Sequence, residues 1–448
     1  MIRTEFRTIR TMALPIVATQ VATMMLGVCD MLMLGHYDTR ALAASALGRV
    51  WIFGTFVMAQ GVLFGQDPRI SQLHGAGKTK ELGTTLQGGL ILCAILSIPL
   101  ALAWMFTSNV LGGLGVDPEL AELAGRYAVV QIPGIPFLLG FHALRSWLQG
   151  RGIMRPAMWV VFVANGLNVI VNWALIFGHL GFEPHGLVGA GCATAFTQIF
   201  MLLGLLLFVR VFDLHKDAWT RWSRAAWREV VAIARMGGPI GLQFGFEIWA
   251  FKAATLMAEK LGTEAVASHA IVLSLASISF MVPLGISIAA SARVGNLIGA
   301  RKFGDAQTAS TAALILGVSS MMVFAILFIV LRDELPRLFN PDPLVVAGAA
   351  AILPVAAAFQ LFDGLQVVAG GVIRGMGRTR ILASVHFIAF YVFGLPLAYY
   401  LGVAGDQGLR GIWWGLCLGL AGVSVVLLVW VSKRGPASME GAAPTVSV

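Results

Sequence analysis

Long apolar runs recur along the whole chain and are separated by short polar stretches. A bilayer core of ~30 Å needs about 20 consecutive, mostly apolar residues in a helix. Twelve runs reach this length, so the pattern predicts an all-α integral membrane protein with twelve transmembrane helices. The predicted spans are 12–35, 43–66, 86–108, 123–149, 157–178, 187–210, 237–260, 266–292, 309–331, 345–371, 380–402 and 410–432.

The composition agrees with a chain that lies in lipid. Hydrophobic residues make up 58% of the sequence and charged residues 12%, whereas soluble domains have about 45–50% and about 25%. A soluble fold of this length could not bury so much apolar surface. Arg3, Arg7 and Arg10 before the first apolar run resemble the start of a signal peptide, but Pro15 and Asp30 would interrupt its apolar region. We therefore expect an uncleaved first span.

The distribution of Lys and Arg predicts how the spans are oriented. Most of the 31 basic residues lie at the two ends of the chain and at the connections from an even-numbered to an odd-numbered span. Because basic loops stay in the cytoplasm, both termini are predicted to be cytoplasmic. The same clustering explains the net charge of +9 without nucleic-acid binding. These residues are Arg3, Arg7, Arg10, Arg69, Lys78, Lys80, Arg145, Arg151, Arg155, Arg210, Lys216, Arg221, Arg224, Arg228, Arg235, Arg293, Arg301, Lys302, Arg374, Arg378, Arg380, Lys433 and Arg434.

Unlike residues recur at a constant spacing, which indicates an internal repeat. Pro15 and Pro239 lie 224 residues apart, and so do Gly61 and Gly285. Each copy contains six spans, and an even number of spans preserves the orientation of the second copy. The sequence therefore predicts two pseudo-symmetric six-helix bundles that are parallel repeats, as in one class of transporters.

The repeat also predicts how the chain is divided. We expect an N-lobe at 1–211 with spans 1 to 6, a cytoplasmic connector at 212–236, a C-lobe at 237–434 with spans 7 to 12, and a disordered tail at 435–448. The connector contains Trp219, Trp222 and Trp227 among its basic residues. This mixture favours an amphipathic helix at the membrane interface.

Three acidic residues lie inside predicted spans: Asp30, Glu247 and Asp363. An ionisable residue near the bilayer centre costs about 2.5–3.5 kcal/mol on insertion, so each is a candidate functional residue. Each is either a protonated acid in a helix–helix hydrogen bond or a carboxylate that binds a proton or Na⁺ during transport. Lys252 follows Glu247 by five residues, and we expect it to pair with an acid. Gln20 is a further polar candidate in the first span.

Polar residues also share helix faces in the fifth and sixth spans. Asn168 and Asn172 are four residues apart, and so are Thr194 and Gln198, and side chains at this spacing are neighbours on a helix surface. Their oxygens could coordinate a cation, or the side chains could form hydrogen bonds between helices. Both interpretations are open at this point.

The sequence contains none of the motifs that would indicate an enzyme. It has no Walker-type phosphate loop, so ATP is not expected to supply the energy directly. It has neither an HExxH motif nor a GxSxG motif. An intramembrane enzyme would need a nucleophile–base pair, and a receptor would need a large soluble domain. We expect no enzymatic activity and no cofactor other than a coupling ion.

Several segments taken together resemble the MATE (multidrug and toxic compound extrusion) family, especially its bacterial NorM-like and DinF-like members. They include ALPIVATQ, GVCDMLMLGHYDTRALAASALG, FEIWAF, VPLGISIAASARVGNLIGARKFGDA and FDGLQVVAGGVIRGMGRTR. The resemblance covers the chain from about Leu14 to Val431. It implies two lobes around a V-shaped cavity and export of organic, often cationic, compounds in exchange for Na⁺ or H⁺. We expect a monomer in the bacterial inner membrane with a small-molecule substrate.

The resemblance also implies roles for residues of the N-lobe. Asp30 matches the acid of the family's VDT motif, although Cys29 and Met31 replace the valine and the threonine. Asn172 and Thr194 match polar positions near this acid. Na⁺ or H⁺ is expected to bind there.

In the C-lobe, Glu247 and Asp363 match the acids that the family associates with cation coupling, and Na⁺ could bind at this pair. Many relatives have tyrosine at the position of Phe359, four residues before Asp363. The alternative function is a lipid-linked flippase of the same superfamily. A flippase would have a more cationic cavity, and the few Lys and Arg residues inside the spans argue against it.

Overall fold

The computed structural model describes residues 2–216 and 218–440, and every regular element in these ranges is helical. Eleven described helices are long and apolar enough to cross a membrane, which confirms the predicted fold class. A twelfth, Ala226–Glu259, has the length, but Gln243, Glu247 and Lys252 lower its hydropathy. In chain order, the twelve are α1 (Ile2–Tyr37), α2 (Thr39–Gly75), α3 (Thr79–Met105), α4 (Pro118–Gly150), α5 (Arg155–Phe177), α6 (Gly186–Val211), α7 (Ala226–Glu259), α8 (Thr263–Gly299), α9 (Phe303–Val330), α10 (Pro343–Gly375), α11 (Arg380–Ala404) and α12 (Gly408–Arg434).

The helices are longer than the predicted spans, because the spans mark only the apolar part of each helix. Local signals set several ends. The Asp38 carboxylate accepts a hydrogen bond from the Ala41 N–H at 2.8 Å and caps the start of α2. Gly178 ends α5 with φ of 78°, a left-handed conformation that favours glycine. Helix α11 is irregular and includes a π-helical stretch at Ile388–Gly394.

Contacts group the chain into two compact units. The N-unit is Ala18–Gly241, and the C-unit contains the residues up to Val17 together with those from Leu242 onward. The contact boundaries therefore lie inside α1 and α7. The lobe boundaries predicted at 211 and 237 follow the sequence repeat instead, and as functional boundaries they stay a prediction.

Each unit contains a two-pronged Arg–Glu ion pair. In the N-unit, Arg69 donates to both carboxylate oxygens of Glu229 at 2.7 and 2.5 Å. In the C-unit, Arg293 donates to both oxygens of Glu5 at 2.8 and 2.6 Å. The two arginines are 224 residues apart, and so are the two glutamates. The repeat spacing thus relates two contacts that the sequence pattern had not singled out.

We expect Arg69→Met to destabilise the protein clearly more than Arg40→Met. Arg69 and Glu229 are only 11% and 16% exposed, and leaving one partner of a buried pair alone costs about 3–5 kcal/mol. Arg40 and Glu119 are 69% and 66% exposed, and such surface pairs contribute about 0.2–1 kcal/mol. The measurement is the thermal unfolding midpoint of each purified variant in detergent. Equal midpoints for the two variants would contradict this prediction.

The predicted amphipathic helix of the connector is wrong for the described residues between Val211 and Ala226, which form turns and irregular chain. This segment bonds to α3 instead of to itself: Gln87 Nε2 donates to Thr220 O at 2.8 Å. The buried Ala218 anchors the same stretch. The exposed tryptophans are Trp219, Trp222 and Trp227.

The predicted disordered tail is wrong for its first residues. Pro436–Met439 forms a short 3-10 helix, and the Met439 side chain is buried. The Ala437 N–H lies 3.4 Å from Gln307 Oε1 on α9, so the chain packs back on the helices. The rest of the predicted tail, 441–448, lies outside the described residues.

Candidate functional site

The N-unit holds Asp30 in a polar cluster formed by α1, α5 and α6. Asp30 is buried, and its two carboxylate oxygens accept hydrogen bonds from different helices. Asn172 Nδ2 donates to Oδ1 at 2.6 Å, and Thr194 Oγ1 donates to Oδ2 at 3.0 Å. The structure therefore brings together the three residues that the sequence grouped around the first acid.

This cluster continues along α5 and leaves one oxygen unused. Asn172 Nδ2 also lies 3.1 Å from Asn168 Oδ1, and Asn168 Nδ2 lies 3.3 Å from Thr197 Oγ1. Asn172 Oδ1 is buried and has no hydrogen-bond partner among the described residues. An unsatisfied buried acceptor is costly, and a proton on Asp30 or a metal cation would satisfy it. The cluster is thus suited to binding a cation beside a carboxylate.

Two secondary candidates of the N-unit do not join this cluster. Gln20 is ten residues before Asp30 on α1, about 15 Å along the helix, and its Oε1 accepts from Arg145 Nη1 at 3.0 Å. Gln198 lies one turn beyond Thr194 on α6, and its buried Oε1 has no hydrogen-bond partner among the described residues. Helix geometry separates both side chains from the acid.

The C-unit brings its two predicted acids to one buried amide. Gln366 Nε2 lies 3.1 Å from Glu247 Oε1 on α7 and 3.3 Å from Asp363 Oδ1 on α10. All three side chains are buried. Glu247 and Asp363 are 116 residues apart in the sequence but share this hydrogen-bond donor. They form one site rather than two.

The sequence analysis missed two residues of this site, Gln366 and His386. His386 on α11 is buried, and its Nε2 lies 3.0 Å from Gln366 Oε1. Gln366 follows Asp363 by three residues, and side chains at that spacing share a helix face. That spacing could have revealed Gln366. A single histidine in an apolar run gave no comparable signal for His386.

The remaining candidates of the C-unit lie outside the acid pair. Phe359 packs edge-on against Phe251 and Trp413, with ring centroids 5.9 and 5.8 Å apart. The expected pairing of Lys252 with an acid is wrong, since Lys252 forms no ion pair among the described residues. Five residues along a helix turn its side chain about 140° away from that of Glu247.

The MatE family model matches the chain twice, over residues 15–174 and 239–400. The second match begins 224 residues after the first, which is the spacing read from the prolines and glycines. The internal repeat is therefore confirmed.

Several known proteins are similar over nearly their whole length. Multidrug resistance protein PmpM from Pseudomonas aeruginosa is 33% identical and is covered to 92%, with 96% of this chain aligned. Multidrug resistance protein NorM from Photobacterium profundum is 31% identical, with 96% of each chain covered.

Solved structures support the fold. The eukaryotic MATE transporter AtDTX14 superposes with a TM-score of 0.91 at 23% identity, covering 98% of this chain and 97% of that one. A MOP superfamily transporter from Pyrococcus furiosus gives 0.87 at 20% identity with the same coverage. The two family matches, the identity to curated relatives and the helical fold together show that the chain belongs to the MatE family of membrane transporters, the MATE family.

Proposed function

We propose that this transporter is a secondary active antiporter that exports organic, often cationic, compounds in exchange for Na⁺ or H⁺ by alternating access. The buried carboxylates carry the proposal. Asp30 in the N-unit and the pair Glu247 and Asp363 in the C-unit lie on helices that otherwise present apolar side chains. Buried acids inside membrane helices are costly and mark ion pathways.

The relatives support drug efflux as the direction of transport. Both named relatives are multidrug resistance proteins and match this chain nearly end to end. Their names favour export of small molecules over the lipid-linked flippase alternative. The bacterial sources of these relatives support a location in the bacterial inner membrane.

Loading of Asp30 would change hydrogen bonds between three helices. An ionised carboxylate only accepts hydrogen bonds, and Asp30 accepts from Asn172 and Thr194. A protonated Asp30 must also donate, and Asn172 Oδ1 is an acceptor on the neighbouring amide. Na⁺ would use the same oxygen. Either ion drives transport only if it binds one access state more tightly than the other.

Proteoliposomes containing the purified protein test this proposal. Transport of ethidium, as an organic cation, is measured under a pH gradient without Na⁺ and under an Na⁺ gradient at equal pH, with the membrane potential clamped. We expect at least one gradient to drive ethidium against its concentration gradient, and a K⁺ gradient of the same size serves as the control. Accumulation under neither ion gradient, by protein that still binds ethidium, would contradict antiport.

A further inference from the structure

The side-chain amide of Gln366 connects the acid pair of the C-unit to α11. Its nitrogen faces Glu247 and Asp363, at 3.1 and 3.3 Å, and its oxygen lies 3.0 Å from His386 Nε2. Gln366 and His386 both have 0% exposure. Water therefore does not compete for these hydrogen bonds, and each buried polar atom needs its partner within the protein.

The chemistry of the empty site fixes which end of the amide faces the acids. Ionised carboxylates accept hydrogen bonds and cannot donate, so the NH₂ group of Gln366 must point at them. Its oxygen then points at His386 and requires an N–H there. The other ring nitrogen, Nδ1, lies 2.8 Å from Leu382 O, which also requires an N–H. A neutral imidazole has only one N–H, so one of these two oxygens lacks a donor.

The opposite amide orientation satisfies every group once a cation is bound. Gln366 Oε1 then faces the acids, where it can accept from a protonated carboxyl or coordinate a metal cation. The NH₂ group donates to the lone pair of His386 Nε2. The ring donates through Nδ1 to Leu382 O. The empty and the loaded site therefore favour opposite orientations of the same amide.

His386 is placed to pass this change to α11. It lies two residues before the π-helical stretch Ile388–Gly394, and π-helical turns often occur at functional sites. In that stretch, the Tyr391 hydroxyl donates to Phe246 O at 3.2 Å, next to Glu247 in the chain. The α11 segment thus contacts both the histidine and the helix that holds one of the acids.

We propose that cation binding at Glu247 and Asp363 reverses the amide of Gln366, and that His386 transmits this reversal to the π-helical stretch of α11. Gln366 and His386 are positioning residues, since they act through the acids. The inference rests on the proposed function and adds the residues that link ion binding to a helix.

Tyr391 offers a reporter for this link, because the chain has only five tyrosines. The protein is labelled with 3-fluorotyrosine, and its ¹⁹F spectrum is recorded with and without Na⁺ at fixed pH, and across a pH step without Na⁺. Tyr391→Phe assigns the resonance. We expect the Tyr391 signal to shift with the cation that drives exchange in proteoliposomes.

Matched substitutions separate transmission from folding. Gln366→Met and His386→Phe keep the volume but remove the hydrogen bonds, and we expect both to lose the Tyr391 shift and to reduce exchange on the order of tenfold. His386→Gln keeps a donor and an acceptor, so it should retain most of the shift and the exchange. Ethidium binding, unchanged in all three, shows that they fold.

The outcomes distinguish this inference from the proposed function. If the unaltered protein exchanges ethidium for a cation while Gln366→Met or His386→Phe shows the full Tyr391 shift, the inference is wrong and antiport stands. The same holds if exchange proceeds without any Tyr391 shift in the unaltered protein. If no cation drives exchange at all, the proposed function fails.

Discussion

Asp30→Asn is expected to reduce ion-driven export to the background of empty vesicles while the protein still reaches the membrane. An amide cannot take up a proton and carries no charge for Na⁺. Moving a two-state equilibrium from about 1:99 to about 99:1 needs roughly 10⁴-fold tighter binding to one state. Without a carboxylate beside Asn172 and Thr194, the N-unit has no group that supplies such a preference for the ion.

The measurement is ethidium export in proteoliposomes, with the amount of folded protein determined by size-exclusion chromatography. Asp117→Asn is the matched control, because Asp117 caps the start of α4 at the surface and asparagine is an equally good cap. We expect this control to export like the unaltered protein. Full export by Asp30→Asn would remove Asp30 from the coupling mechanism.

The second large effect is expected in the C-unit, where Glu247→Gln and Asp363→Asn should each impair ion-driven export severely. The two carboxylates share the hydrogen-bond donor Gln366, at 3.1 and 3.3 Å. Groups that act as a unit give non-additive losses. The double variant should therefore lose little more than the worse of the two single variants.

Export rates of the single and double variants, measured under the driving ion gradient, test this coupling. Glu264→Gln and Asp333→Asn serve as controls, because both acids are exposed. Losses that multiply in the double variant would show that the two acids act independently. In that case, the single site inferred from the shared amide would be wrong.

Much of the architecture could be predicted from local sequence. The spans were recognisable because a helix in lipid must be apolar along its own length, without reference to any other helix. The repeat was readable because Pro15 and Pro239 keep the spacing at which the family model also matches twice. Asp30, Glu247 and Asp363 were conspicuous because an acid among apolar residues costs insertion energy wherever the chain places it.

The partners of these acids depended on packing that the sequence does not display. Asn172 and Thr194 reach Asp30 because α5 and α6 turn those faces toward α1, whereas Gln20 on the same helix bonds to Arg145. The connector is irregular because its backbone bonds to α3.

The sequence by itself therefore determined the membrane class, the repeat and the acids, since each of these depends on the composition of one segment. Only the tertiary structure decided that Gln366 joins Glu247 to Asp363 and that His386 lies behind it. The reason is physical: a side chain's neighbours on other helices depend on helix rotation and crossing. Many side chains together determine these, and no single segment encodes them.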